Sequence, residues 1–243
     1  EVFESFGFAP IETPHLEYAD VLLKRGSEEI QKELYRFRDH GDRDVALRFD
    51  LTVPLARFAA QHRHAIKLPF KRYAIGNVFR GERAQAGRYR EFTQCDFDFL
   101  GSDSLVADAE IIAVLEAGFE ALGIKEFKIS VNNRKLMNAF LDSLGYLALS
   151  EDILRIVDKL DKIGEERVGE ELRSVGVKDP TPVIEFVELK ESKDGFWEQL
   201  ERLANTPATE EGVSEIKELV AILEAMNVRR DRIEIDLSIA RGL

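Results

Sequence analysis

The chain reads as an α+β protein, an antiparallel sheet flanked by helices and interrupted by an α-helical insertion. Three observations carry that reading. Two runs of strand period, 72–80 and 89–99, sit either side of a short loop containing Gly87 and several arginines. Helix-period segments flank the pair. From about residue 149 to 226 strand signal vanishes, and acidic helical stretches follow one another with turn residues at Gly164, Gly176, Pro180, Pro182, Gly195 and Pro207.

Taken in order, residues 1–6 read as the end of a helix that Gly7 stops. Residues 8–14 are extended, because Pro10 and Pro14 bias the residues before them toward β geometry. Residues 16–31 read as helix and loop. A hairpin over 33–37 and 45–49 turns at Asp39-His40-Gly41-Asp42. Asp50 is placed to cap a helix that carries Pro54 in its first turn and runs to about His62. After the two central strands, Asp103 or Ser104 caps a helix over 105–122 that packs on the sheet. A short strand (127–131) and an amphipathic helix (134–144) follow. Helices are then expected over 150–163, 165–175, 181–190, 196–204 and 210–226. In the last of these, Ile216, Leu219, Val220 and Leu223 form one packing face. Finally Ile233, Ile235, Leu237 and Ile239 alternate with polar residues, as in a half-buried strand returning to the sheet.

The second central strand has an unusual face. Its period puts Arg90, Phe92, Gln94, Asp96 and Asp98 on one side, and Glu91, Thr93, Cys95, Phe97 and Phe99 on the other. The second set reads as the core face. The first, with a guanidinium, a ring, an amide and two carboxylates, suits a polar ligand pocket. Arg80, Arg83, Arg88 and Arg90 crowd into a short stretch of a chain whose net charge is −12. Guanidinium groups make fork-like contacts to phosphate and carboxylate oxygens.

Bulk composition narrows the function. Net charge of −12 argues against non-specific coating of nucleic acid, while leaving room for an RNA met at a local basic patch. No apolar run of about 18 residues is present, so no membrane span is expected, and no signal peptide is visible. The single cysteine, Cys95, reads as a small core residue. His15, His40, His62 and His64 lack ligand spacing, so no metal site is expected. The absent start methionine and the end straight after a strand make the sequence read as a fragment of a longer protein. Its expected divisions are a core over 1–132, a helical insertion over 133–228 and a return strand over 229–243.

The string Phe79-Arg80-Gly81-Glu82, a loop to Gly87, then Arg88-x-x-x-Phe92-x-x-x-Asp96 resembles motif 2 of the class II aminoacyl-tRNA synthetases. The run from Gly87 to Asp98 is similar to the histidyl-tRNA synthetase family in particular. Residues 8–14 resemble part of motif 1, and Leu47-Arg48-Phe49-Asp50-Leu51-Thr52 resembles an amino-acid-binding segment of that family in its eukaryotic and archaeal form. Ala240-Arg241-Gly242-Leu243 resembles the opening of a histidine-specific motif, although taken alone Arg241 is a terminal surface arginine.

The resemblance implies a class II synthetase-like sheet and ATP-dependent activation of histidine, followed by transfer to tRNA-His. It implies that Arg80 and Arg241 are catalytic, flanking the α-phosphate and the substrate carboxylate. Asp50, Thr52 and Gln94 would take the ammonium and Asp98 the imidazole. Phe92 would stack on adenine, Glu82 would meet the nucleotide's amino edge, and Arg83 and Arg88 would reach the tRNA acceptor stem. ATP with Mg²⁺ (for which no protein ligand is assigned), a homodimer and a cytoplasmic setting are further implications. Two other readings share the fold: the histidine-sensing regulatory subunit of ATP phosphoribosyltransferase, and a kinase regulatory domain that binds uncharged tRNA. The joint presence of Arg80, Glu82, Phe92 and Arg241 favours the enzyme, though this 243-residue piece alone is expected to be inactive.

Overall fold

The computed structural model describes residues 1–24, 28–83, 85–191 and 194–239. The chain divides into two compact units, Glu1–Asp103 and Ser104–Leu243.

The first unit opens with α1 (Val2–Ser5), ended by Gly7 at φ +78°, and β1 (Ala9–Pro10). It continues through β2 (Leu16–Tyr18), α2 (Ala19–Leu23), α3 (Glu28–Glu33), β3 (Arg36–Arg38), β4 (Asp44–Leu47) and α4 (Thr52–Gln61) to the long strands β5 (Phe70–Phe79) and β6 (Glu91–Leu100). β5 and β6 pair antiparallel in unbroken register from Phe70 opposite Leu100 to Phe79 opposite Glu91, and β1 adds to β5 in parallel. β2, β4 and β3 form a second antiparallel sheet in that order. The hairpin turn between β3 and β4 is held by Asp39, whose Oδ1 accepts from the Gly41 and Arg43 amides at 2.8 and 3.0 Å. β2 lies where helix and loop were expected. Three residues are too few to show a period, and their partner β4 is distant in sequence.

The sheet faces correct one expectation. Glu91, Thr93 and Cys95 are exposed, so this side of β6 is not a core face and Cys95 is not a core residue. Only its far end is covered: Phe97 packs on Phe3 and Phe8, with ring centroids 5.2 and 6.0 Å apart.

The second unit contains α5 (Leu105–Ala121), β7 (Ile129–Val131), α6 (Arg134–Ser143), α7 (Ser150–Val157), α8 (Leu160–Ile163), α9 (Glu165–Ser174), α10 (Thr181–Val187), α11 (Phe196–Leu203), α12 (Pro207–Ala225) and β8 (Ile233–Ile235). Ser104 caps α5 by accepting from the Val106 amide, and Asn133 does the same for α6 from Leu136. α12 starts earlier than expected, because Thr206 and Thr209 close a reciprocal capping box around Pro207. α5 and α6 both pack on α12. The inward face of α5 is made largely of small residues, Ala107, Ala109 and Ala113 with Val114, whereas Leu122 is exposed. β8 buries Ile233 and Ile235 as the alternation predicts. It pairs in parallel with β7, Ile129 opposite Ile233, in a two-stranded sheet of its own and not with β5 and β6. Periodicity fixes a strand's two faces but not its partner.

Candidate functional site

Register builds the site. Opposite Phe92, Gln94, Asp96 and Asp98 of β6 stand Val78, Gly76, Ala74 and Arg72 of β5, so all eight share one side of the hairpin. Ala74 and Gly76 leave room above the floor. Gly76 is required by a close approach, since a Cβ there would lie 2.5 Å from Nη2 of Arg48. Arg48 is 4 % exposed and acts as a strut, donating from Nε to Asn77 O and from Nη1 to Thr13 O, both at 2.7 Å. The next residue, Phe49, is thereby presented to the same face. Arg80 continues it: the Arg80 amide donates to Arg90 O at 2.9 Å, and its Nε donates to Phe49 O at 3.2 Å. The Arg80 guanidinium carbon stands 4.6 Å from the Phe49 ring centroid and 5.1 Å from that of Phe92. Two aromatic rings therefore hold this cation by cation–π contact while its terminal nitrogens stay available for an anion.

The connecting loop is anchored and charged. The Gly81 amide donates to Glu33 O at 2.7 Å, and a Cβ at Gly81 would stand 2.9 Å from that oxygen. Gly87, at φ +78°, completes the turn that bridges Gln85 and Arg88. Glu82 accepts from Nη1 of Arg88 at 3.0 Å. Arg83 and Arg88 are both exposed.

Deeper on the face lies an acid cluster. Val53 N donates to Asp50 Oδ1 at 2.8 Å, so Asp50 does cap the start of α4. Thr52 Oγ1 donates to Asp96 Oδ2 at 3.3 Å. Arg72, 1 % exposed, brings Nη2 to 2.6 Å from Asp98 Oδ2 and donates from it to Leu51 O at 3.1 Å. Burial lifts the Asp96 and Asp98 carboxyls above the usual carboxylate range, and the Arg72 charge opposes that lift in each. Burial likewise pulls the Arg72 guanidinium down, against the pull of Asp98, Asp96 and Asp50. Three buried polar atoms on this face make no hydrogen bond: Gln94 Oε1, Asp98 Oδ2 and Arg72 Nε. The Arg72–Asp98 contact is thus an ion pair without hydrogen-bond alignment. Buried polar atoms left unbonded are costly, and a cluster of them on one concave face suits a ligand site.

The structure therefore brings together Asp50, Thr52, Arg80, Phe92, Gln94 and Asp98 around one face, with Glu82, Arg83 and Arg88 on the connecting loop. Arg241 lies outside the described residues. Arg72 and Arg48 were not selected from the sequence. Their signal was present in the parity of β5, which places Arg72 with Ala74 and Gly76, but it needs the strand register to be read. Among the described residues no group of three or more His, Cys, Asp or Glu side chains is disposed to hold a metal ion.

The family model described as histidyl-tRNA synthetase matches residues 1–243. The histidine–tRNA ligase of Wolinella succinogenes is 58 % identical over 249 residues, covering 100 % of this chain and 56 % of the relative. That of Helicobacter hepaticus is 54 % identical over 251 residues, covering 100 % and 57 %. The crystal structure of histidyl-tRNA synthetase from Nostoc sp. PCC 7120 superposes with a TM-score of 0.86 at 37 % identity, over 100 % of this chain and 56 % of that one. The chain thus spans a little over half the length of the relatives it matches.

Proposed function

The chain belongs to the histidyl-tRNA synthetase family, and on that premise we propose that it carries the amino-acid and nucleotide subsites of a histidine–tRNA ligase. Such an enzyme joins the histidine carboxylate to the α-phosphate of ATP, expelling pyrophosphate, and passes the acyl group to tRNA-His. The observation that supports this most directly is the pair of buried acceptors without hydrogen bonds, Gln94 Oε1 and Asp98 Oδ2, on the face that also carries Arg80. Acceptors of that kind call for a substrate rich in N–H donors, and the guanidinium beside them for an anion.

Adenylation draws two anions together and builds charge on a five-coordinate phosphorus, so its catalysis is chiefly positioning and fixed positive charge. In our reading Arg80 bridges the carboxylate and α-phosphate, and Arg241 approaches from the other side. Asp50, Thr52 and Gln94 take the ammonium and Asp98 the imidazole N–H. Phe92 stacks on adenine, with the Arg80 guanidinium shifting along the ring, and Glu82 meets the amino edge or the Arg88 network. Arg83 and Arg88 face the acceptor stem. Mg²⁺ accompanies the ATP phosphates as part of the substrate, and no protein ligand is assigned to it. We keep the expected division into a core (1–132), a helical insertion (133–228) and a return strand (229–243) as a proposal beside the two compact units.

A homodimer in the cytoplasm completes the reading. One side of the second sheet gathers Leu16, Tyr18 and Phe37, at 49, 51 and 45 % exposure, around Val45 and Leu47, an apolar surface suited to a partner. No helix among the described residues is long and apolar enough to cross a membrane. The regulatory reading is not favoured, since relatives at 58 and 54 % identity are named as ligases.

The test is histidine-dependent ATP–pyrophosphate exchange in a chain of the relatives' full length. Arg80→Ala and Arg241→Ala are each expected to lower the rate by about 10²–10³, the cost of one transition-state donor. Unchanged rates in both would remove the assignment. The 243-residue chain alone is expected to show no exchange.

A further inference from the structure

We propose that Arg72 is a positioning residue of the amino-acid subsite, holding Asp98 ionised and aimed so that the carboxylate accepts an N–H from the substrate ring. The proposal deepens the histidine reading and rests on it. Arg72 is the largest fully buried side chain among the described residues. It stands directly across the hairpin from Asp98, and its Nη2 is held by Leu51 O at 3.1 Å while lying 2.6 Å from Asp98 Oδ2.

Packing alone does not account for it. A buried guanidinium is expensive unless its donors are used, yet Nε makes no hydrogen bond and the contact to Asp98 is unaligned. What the position does supply is charge. Asp98 is faced by Arg72 from β5, by Asp96 and Gln94 from its own strand, and by Asp50 from the start of α4, where Thr52 bonds Asp96. Three carboxylates thus share one guanidinium. Without Arg72 the three acids would repel one another in a half-buried site, and at least one would take up a proton. A protonated Asp98 would present a donor where an imidazole N–H needs an acceptor. With Arg72 in place, the cluster keeps an excess of negative charge that the substrate ammonium and a ring N–H can neutralise.

Arg72 meets neither nucleotide nor phosphate in this arrangement, so its removal should act on one substrate only. In a chain of the relatives' full length, Arg72→Met is expected to raise the histidine KM about tenfold or more, the scale of losing one buried charged partner. The ATP KM should stay within about twofold. The histidine KM of this variant should begin to rise at a higher pH on acidification than that of the parent, as Asp98 binds a proton more readily. Arg72→Lys keeps the charge without the fork and should recover part of the loss. In the double variant Arg72→Met/Asp98→Asn, the effect should be no larger than in Asp98→Asn alone, because both act through one carboxylate.

Equal rises in both KM values, or additive effects in the double variant, would overturn the proposal in favour of a purely structural role. If Arg72→Met is insoluble, the KM split and pH profile of Arg72→Lys decide the matter by the same criteria. Should the parent protein bind no histidine, the reading of the site fails. Should it bind histidine while Arg72 variants are indistinguishable from it, only the role of Arg72 fails.

Discussion

The two units fill their interiors with different chemistry. In Ser104–Leu243 an extended apolar cluster takes in residues from Leu136 to Leu237, with the rings of Phe140 and Phe186 stacked at 4.0 Å within it. In Glu1–Asp103 the guanidiniums of Arg48 and Arg72 are buried beneath the site beside the apolar side chains of Leu51 and Val78, and among the described residues a small apolar cluster gathers Ala19, Leu22 and Ala46. The helical unit relies mainly on buried area, and the site unit adds directed bonds from buried guanidiniums. An area-held interior responds to lost volume in proportion to the cavity left. A bond-held interior responds to a lost partner or a misplaced atom, since each buried polar group left unbonded carries its own desolvation cost. Function explains the second choice, because a site that must grip a zwitterion cannot be lined with leucine.

The largest effect should come from the apolar unit. Phe186→Ala removes a fully buried ring from the Phe140 stack and should cost about 3–5 kcal/mol in denaturant unfolding. A loss under about 1 kcal/mol would show that the cluster collapses onto the gap and is not area-held in this sense. Next comes Gly76→Ala in the other unit. The end of an arginine ordinarily swings aside cheaply, but Arg48 is pinned by Asn77 O and Thr13 O, so the added methyl meets a fixed group. About 1–3 kcal/mol is expected, the range for overpacking. If Gly76→Ala is neutral, Arg48 is mobile and the bond-held description fails. Smaller again is Thr206→Ala, which opens the capping box of α12 and should cost about 1 kcal/mol by the same measurement.

How much of this was legible in the sequence follows from what periodicity encodes. A period of two placed Phe92, Gln94, Asp96 and Asp98 together, and the structure keeps them together with Arg80. The helices of the second unit were readable because their caps and turn residues are local. Periodicity does not say which face of a strand lies inward. Cys95, on the side expected to be the core face, is exposed. Nor does it name a partner: β8 pairs with β7 and not with β5 and β6, and β2 is too short to carry a period that would reveal it. Arg72 escaped notice for the same reason: its meaning comes from standing opposite Asp98, and that depends on the register set by the Gln85–Arg88 turn.

The smallest effect separates a half-buried acid of the site from a surface ion pair of the helical unit by sign alone. In the site unit, burial raises the Asp96 carboxyl above its ordinary value, outweighing the opposing pull of Arg72 and of the Thr52 hydroxyl. The folded chain therefore holds that proton more tightly than the unfolded one. The stability this contributes is fully present below the ordinary carboxylate range, about pH 4, and is lost as pH rises through the folded-state value. Asp96→Asn abolishes that titration, so its thermal midpoint should gain on the parent's as pH is raised from about 4 to 7. In the helical unit Glu215 behaves in reverse: the bond from Lys135, then that from Asn133, lowers its carboxyl. Its contribution is present above the ordinary range and lost as pH falls through the lowered value, so Glu215→Gln should lose ground to the parent over the same rise in pH. Midpoints measured across that window should give opposite slopes for the two variants. If both slopes run the same way, Arg72 and Thr52 compensate Asp96 as fully as Lys135 compensates Glu215. The acid cluster would then be a settled ion-pair network, and not a site in which negative charge is held in excess for a substrate.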